Sequence, residues 1–443
     1  MTFVVRFPDS LRQERTYAAQ VVLGLHLGVE YQLAFESRGD VEIHATDNPA
    51  STLRIPDVVF AAGERGWPAT AARPLLVSVG APPRAGNDSS QFEFDVFGTA
   101  FWYLTRLEEI LSSERDGHER FPAAASGDIN DTPCVDELID LFGRRLLGIW
   151  PQLRLRTHRF TFVPTHDVDR PFKHLFQSSA KLLRGMARDA LRRRDSGAAL
   201  RAPRLRRKIR RGEVDLDPFN TFDWLMDQSE RVGVQSTFYF LCTSGAGGVD
   251  GDYRIDDPRI RSLLRRIHSR GHLIGLHGSY RSAFDADLLA SEIQMLRRVC
   301  DGESIQLDRI RARQHVLRYD PLKTRSVWAQ AGVDEDSTLS HAAYAGFRCG
   351  TCRPFPLFEP LSRSMTRVIE RPLIVMDASL LEQRYEGLTQ AAAIERIEAL
   401  TRRCQAVGGS FVLLWHNCQL EDSSARVIYP RAVATAMGTT AGK

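Results

Sequence analysis

Phe160-Thr161-Phe162-Val163-Pro164-Thr165-His166-Asp167-Val168-Asp169-Arg170 begins as an apolar run and ends in two carboxylates two residues apart. In an extended chain successive side chains point to opposite faces. Asp167 and Asp169 therefore share one side of the strand end, while His166 and Val168 take the other. Two neighbouring acids on one face repel, and proteins usually keep such a pair where a cation or a catalytic proton uses it. The plain alternative is a solvated turn, because aspartate is common where strands end.

Toward the C-terminus the pattern returns. From Arg159 onward, apolar strand-like runs alternate with helical stretches, and several runs stop at polar residues. Run 160–163 leads to Asp167, 235–241 to Thr243, 272–276 to His277, and 309–311 to Arg313-Gln314-His315. Phe347-Arg348-Cys349 follows, then run 368–375 leading to Asp377 and run 411–415 leading to His416-Asn417. About seven such units with helices between them predict an α/β fold, a parallel sheet closed into a barrel over 153–443. Chemistry in barrels gathers at the C-terminal strand ends, where these polar residues fall.

Toward the N-terminus, residues 1–152 predict a smaller α+β accessory domain whose role the sequence does not reveal. Short apolar runs, Val21-Val22-Leu23-Gly24-Leu25 and Leu75-Leu76-Val77-Ser78-Val79, are separated by turn residues. One helix is expected from Asp95 onward, with Phe97, Phe101, Leu104, Leu107 and Leu111 along one face. A second opens at Thr132-Pro133 and carries Val135, Leu138, Ile139, Phe142, Leu146 and Ile149. The stretch between them, 116–131, reads as a loop.

The chain has 443 residues, 43% hydrophobic and 26% charged, which fits a soluble globular protein of two or three units. A net charge of +4 implies no polyanionic partner by itself. No secretory signal is visible at Met1–Pro8, and no apolar stretch approaches a spanning helix, so a cytoplasmic location is expected. Seven cysteines scattered from Cys134 to Cys418 suit reduced thiols better than a disulfide framework. Segment 173–211 departs from this balance, with fourteen lysines and arginines against Asp189 and Asp195. It predicts a basic surface helix or mobile insertion able to touch an anionic carrier or membrane surface, or else a solvated basic face. Aromatic residues are almost absent from it, which argues against nucleic acid.

A hydrolase acting on an amide or ester needs a polarised carbonyl, an activated water, a base and an acid. The strand ends offer these parts: Asp169 and His277 can hold a divalent cation, Asp167 can act as base and His416 as acid. His272 and His277 are five residues apart, an odd interval, so they cannot share one face of a regular strand, and the terminal position favours His277 as ligand. Arg313 and His315 can share a face, which lets Arg313 orient Asp167 while His315 reaches the cation. Cys349-Gly350-Thr351-Cys352 resembles half of a redox or zinc site but has no second pair, so it reads as structural. Gly245-Ala246-Gly247-Gly248 makes no phosphate cradle, and no Gly-x-Ser-x-Gly elbow is present.

Six stretches in order resemble the polysaccharide deacetylase family of metal-dependent carbohydrate esterases. They are Thr165-His166-Asp167-Val168-Asp169, Ser236-Thr237-Phe238-Tyr239-Phe240, Gly271-His272-Leu273-Ile274-Gly275-Leu276-His277, Arg313-Gln314-His315, Asp336-Ser337 and Leu413-Leu414-Trp415-His416-Asn417. The resemblance covers roughly 159–417 and implies a distorted (β/α) barrel of about seven strands. It also implies that Asp167 is the general base, steadied by Arg313, that Asp169 and His277 bind the metal, and that His416 is the general acid. Water activated by the metal, zinc with cobalt or nickel as alternatives, would then remove an acetyl group from an acetylated sugar. Where the family carries a second histidine four residues after the first, this chain has Arg281, whose guanidinium stays protonated and cannot ligate. Either His315 completes the metal site or the site is weakened. Tyr280 and Tyr319 are candidates for stacking on sugar rings. Two other functions share this scaffold: a non-catalytic glycan-binding protein, and an amidohydrolase acting on a non-sugar amide.

Overall fold

The computed structural model describes residues 1–64, 90–176, 178–191, 196–243 and 249–438. The run 75–79, Arg192-Arg193-Arg194 and Gly245-Ala246-Gly247-Gly248 lie outside the described residues.

Alternation starts the N-terminal part. In β1 (Thr2–Pro8), Phe3, Val5 and Phe7 are fully buried. β2 (Glu30–Glu36) pairs with it in parallel and β3 (Val41–Ala45) antiparallel; β4 (Asn48–Ile55) completes a sheet of order β2-β1-β3-β4. The parallel crossover is the helix Arg12–Ala19, continued by the wider-wound Gln20–Leu27 and stopped at Gly28 with φ 68°. Helix Val96–Leu104 is buried along its whole length, and Asp95 caps it by accepting from the Gly98 amide at 2.7 Å. The apolar periodicity predicts one helix through Leu111, but the chain breaks at Arg106, φ 53°, before the short helix Leu107–Leu111. The break lets the Arg106 guanidinium meet Glu109 at 2.8 Å. Helix Cys134–Ile149 buries the expected face of Val135, Leu138, Ile139, Phe142 and Leu146.

The larger part is a nine-stranded sheet. β5 (Thr161–Val168), β6 (Thr237–Phe240), β7 (Leu273–Gly278), β8 (Arg311–Gln314) and β9 (Glu335–Asp336) lie side by side in parallel. The hairpin β10 (Phe355–Glu359) and β11 (Ser364–Glu370) extends it beyond β9. On the other side, β12 (Val375–Met376) and β13 (Ser410–Leu414) extend it beyond β5. The order β10-β11-β9-β8-β7-β6-β5-β13-β12 has two ends, so the expected closed barrel of about seven strands is corrected to a sheet of nine strands that, among the described residues, does not close by hydrogen bonds.

The count rises because β9 and β10 fall outside the expected runs, while two further differences cancel each other. The run 368–375 is split at Pro372 between β11 and β12, which sit on opposite sides of the sheet. Phe347-Arg348-Cys349 is no strand: it turns, with the Gly350 amide bonded to Phe347 O at 2.9 Å, and from this turn Arg348 reaches Glu109.

The basic segment forms two helices, Ser179–Leu191 and Ser196–Arg210, which pack against each other. A continuous buried core joins the N-terminal part to the larger sheet. Tyr17 donates to Pro356 O in β10 at 2.9 Å, and Asp136 accepts from Thr351 Oγ1 at 2.6 Å and from the Cys352 amide at 2.9 Å. An unpaired edge strand is exposed to further pairing, and here the N-terminal part lies against it.

Candidate metal centre

Strand register gathers the polar side chains at one end of the sheet. Asp167 lies in β5 opposite Tyr239, and His277 in β7 is paired with Arg313 in β8. Asp169 and His315 follow directly beyond β5 and β8, and His416 lies two residues beyond β13. The alternation expected for the Asp-x-Asp segment holds. Asp167 and Asp169 line the cleft, while His166 is fully buried and bonds Trp415 O at 2.8 Å through Nδ1. Tyr253 fixes the end of β5 by donating to Val168 O at 2.7 Å. Beside it, Gly251 lies so close to Asp169 that a Cβ would collide with the Asp169 carbonyl oxygen.

Asp169, His277 and His315 bring their donor atoms within 4.8 Å of one another, the one such group able to hold a metal ion among the described residues. His277 Nε2 is 3.2 Å and His315 Nε2 3.6 Å from Asp169 Oδ1. Each ring is oriented from behind. His277 Nδ1 donates to Arg313 O at 2.8 Å and His315 Nδ1 to Asp250 Oδ1 at 2.7 Å, so both Nε2 atoms face Asp169. This is the outer support that fixes the tautomer of a metal-ligating histidine. Among the described residues, Asp169 Oδ1 is buried without a well-formed hydrogen bond. An orphaned carboxylate oxygen facing two imidazole nitrogens fits a divalent cation, and one carboxylate with two imidazoles is a donor set that zinc accepts.

The electrostatics agree. Burial lowers the pKa of His315, yet the Asp169 and Asp250 carboxylates outweigh it and push that pKa up to about 10. Burial likewise opposes ionisation of Asp169, but His315 and His277 hold it well below the usual carboxylate range. Two carboxylates that draw a proton this strongly to one imidazole also attract a cation.

Asp167 flanks this group on one side. Arg313, fully buried, donates to Asp167 Oδ1 and to Thr165 Oγ1, both at 2.9 Å. It is itself fixed by Ser337 O at 2.8 Å and Ser337 Oγ at 2.9 Å. Asp167 Oδ2 is left on the cleft side, 3.7 Å from His277 Nε2. His416 stands on the other side, with Nε2 3.6 Å from Asp169 Oδ2. Asp377 holds it twice, accepting from its Nδ1 and from its backbone amide, each at 2.7 Å. Burial works against the charged form of His416, but Asp377, then Asp169 and Asp167, carry it well above the usual histidine range.

The cleft encloses about 310 Å³. One wall is apolar, with Leu317, Ala342, Met376, Ala378 and Tyr385; another carries His118 and Arg120 from the N-terminal part. The structure keeps other candidates elsewhere. His272 is buried away from the cleft, accepting from the Ser236 amide at 3.0 Å. Tyr319 is buried in the core, where its hydroxyl accepts from Arg325 Nε at 2.7 Å, so it offers no face to a sugar. Tyr280 lies beside the cleft rather than in its lining, its ring under Arg318 at 4.2 Å. Cys349 and Cys352 are buried and free. Arg281 is exposed and does not line the cleft. Asp250, His118 and Arg120 were not singled out in the sequence: 65 residues separate Asp250 from His315, and no local spacing links them.

Comparison with known proteins adds the following. Residues 3–151 match a family of unknown function, DUF7033. No curated protein matches the chain. Among solved structures, a protein from Mycobacterium smegmatis assigned as a polysaccharide deacetylase is 17% identical with a TM-score of 0.41, covering 64% of this chain and 85% of its own. A protein from Pseudomonas aeruginosa PAO1, also assigned as a polysaccharide deacetylase, is 13% identical with a TM-score of 0.37, covering 63% and 85%. The Puue allantoinase is 12% identical with a TM-score of 0.37, covering 63% and 84%. At such distances, side-chain geometry is the basis for a functional reading.

Proposed function

We propose that the chain is a metal-dependent hydrolase that removes an acetyl group from an acetylated sugar, such as an N-acetylated amino sugar of a surface glycan or its precursor. One observation carries this reading. A three-donor group, Asp169, His277 and His315, lies between an arginine-held carboxylate and a carboxylate-held imidazole. Zinc, cobalt or nickel suits these donors. When bound, such a cation supplies Lewis acidity, lowering the pKa of a water and polarising an acyl oxygen.

The remaining work falls to the chain. Arg313 occupies Asp167 Oδ1, which leaves Oδ2 to accept the proton of the attacking water. Asp377 holds His416 by Nδ1, so Nε2 faces the cleft and can protonate the departing nitrogen or oxygen. Two groups with opposed proton tasks on either side of a reacting centre are what acyl hydrolysis requires. The apolar wall of Leu317, Met376 and Ala378 suits the methyl of an acetyl group. The sugar itself rests on the sequence resemblance to polysaccharide deacetylases.

The same reading places the enzyme in the cytoplasm beside a glycan precursor, with 173–211 facing an anionic carrier or the inner membrane face. Residues 1–152 and 153–443 would then be its accessory and catalytic domains. No helix of the described residues is long and apolar enough to cross a membrane. Calorimetric titration of zinc or cobalt into the metal-stripped chain, paired with an acetate-release screen on N- and O-acetylated sugars, tests the proposal. Asp167→Asn is expected to keep cation affinity and to lose about 10²–10⁴-fold in turnover. A wild-type chain that binds no divalent cation, or an Asp167→Asn enzyme with unchanged turnover, would overturn it.

A further inference from the structure

Val316 and Leu317, the two residues after His315, have left-handed backbone, φ 54° and 53°. For a β-branched residue such as Val316 this conformation is a genuine outlier, and it persists only where its surroundings enforce it. The enforcing contacts come from the other end of the chain. Arg120, only 8% exposed, donates to Val316 O at 2.7 Å and is itself fixed by Asp116 Oδ2 through Nε at 2.8 Å. Its neighbour Glu119, φ 61°, accepts from Arg318 Nη2 at 2.7 Å.

Arg318 in turn donates to Tyr280 O at 2.7 Å. The Tyr280 amide donates to Asp250 Oδ1 at 2.9 Å, the same oxygen that receives His315 Nδ1 at 2.7 Å. The 116–120 turn therefore grips the segment carrying His315 from two sides, directly at Val316 and through Arg318 and Tyr280. It belongs to the region matched by the family of unknown function.

We propose that the N-terminal part is a working component of the metal centre: through Arg120 and Glu119 it clamps the strained Val316-Leu317 turn and so holds His315 at the cation position. Arg120 is then a positioning residue. The inference rests on the metal-dependent reading above, and it explains how a third ligand is secured where Arg281 cannot serve. Glycines at both 316 and 317 adopt the left-handed turn without strain and remove the need for the clamp.

The test is a double-mutant cycle on the full chain, with zinc affinity measured by calorimetry and the ligand field read from the visible spectrum of the cobalt-loaded protein. Arg120→Ala is expected to weaken zinc binding about 10–100-fold, as loss of an outer support does, and to shift the cobalt spectrum. The same change in a Val316→Gly, Leu317→Gly background should cost less than about threefold, because the turn no longer needs holding. Arg120→Lys keeps the charge but not the two-partner geometry, so an intermediate loss is expected, and it carries the test should Arg120→Ala not fold. Wild-type affinity and spectrum in both Arg120→Ala and Arg120→Lys, or equal losses in the two backgrounds, would overturn the clamp while leaving the metal reading intact. A wild-type chain that binds no cation overturns both.

Discussion

Asp250 and Asp377 do for His315 and His416 what Arg313 does for Asp167: each occupies one atom of a side chain so that another faces the cleft. Asp250 is the more exposed to test, because its Oδ1 serves two donors, His315 Nδ1 and the Tyr280 amide. Asp250→Ala frees the His315 ring to rotate and leaves its Nδ1 without an acceptor. We expect zinc affinity to fall about 10–100-fold while the Arg313–Asp167 bond and the fold persist. Calorimetry decides it, and unchanged affinity would show that His315 needs no partner behind it. Sequence spacing located the front atoms of the site, because alternation and strand-end position act over a few residues. It did not locate Asp250, which follows β6 and meets His315 only after β6, β7 and β8 are laid side by side. Tyr319 shows the converse failure, since an aromatic beside a candidate site looks the same in sequence whether it faces a sugar or Arg325.

At the level of elements, strands of four or more residues set between helices of the larger part were legible, and two-residue ones were not. β5 and β13 lie close to their apolar runs, while β9 and β12 are two residues long and leave no periodic trace. The run Phe347-Arg348-Cys349 has the apolar alternation of a strand, but in the structure it is a buried turn, so its apolar residues serve packing outside the sheet. The basic helices Ser179–Leu191 and Ser196–Arg210 give an element-scale prediction. Leu183 and Leu200 are 64% and 74% exposed, and Arg184, Arg201, Arg204 and Arg207 are exposed on the same helix pair. Apolar side chains among cations suit an anionic lipid surface, with each cation near it contributing about 1 kcal/mol. The full chain should co-sediment with phosphatidylserine vesicles at low salt and be released as salt rises. Arg201→Glu with Arg204→Glu should abolish that binding. Equal retention by neutral phosphatidylcholine vesicles would count against an electrostatic lipid surface.

The two parts of the molecule are joined by buried charge rather than by apolar contact alone, and this makes their union sensitive to acid. Glu109 is fully buried; its Oε1 accepts from Arg106 Nε and Arg348 Nε, both at 2.8 Å, and its Oε2 from Arg348 Nη2 at 2.7 Å. Arg348 belongs to the turn before β10, so one carboxylate ties the Leu107–Leu111 helix to the larger sheet. Burial would raise the pKa of Glu109, but Arg348 and Arg106 outweigh it and hold the group far below the ordinary glutamate range. A folded pKa below the unfolded value means that the contribution to stability is fully present above about pH 4.3 and is lost as the pH falls toward the folded value. Removing one partner of a buried pair leaves the others uncompensated, so Glu109→Gln should cost about 3–5 kcal/mol. Urea unfolding at a series of pH values reads both effects. The wild type should weaken steeply below about pH 4, and Glu109→Gln should start lower and show a flatter slope over that range. If the variant instead matches the wild type within about 0.5 kcal/mol at neutral pH, the buried carboxylate does not hold the two parts together. The clamp on His315 depends on the same union, so loss of Glu109 should also weaken zinc binding in the variant that remains folded.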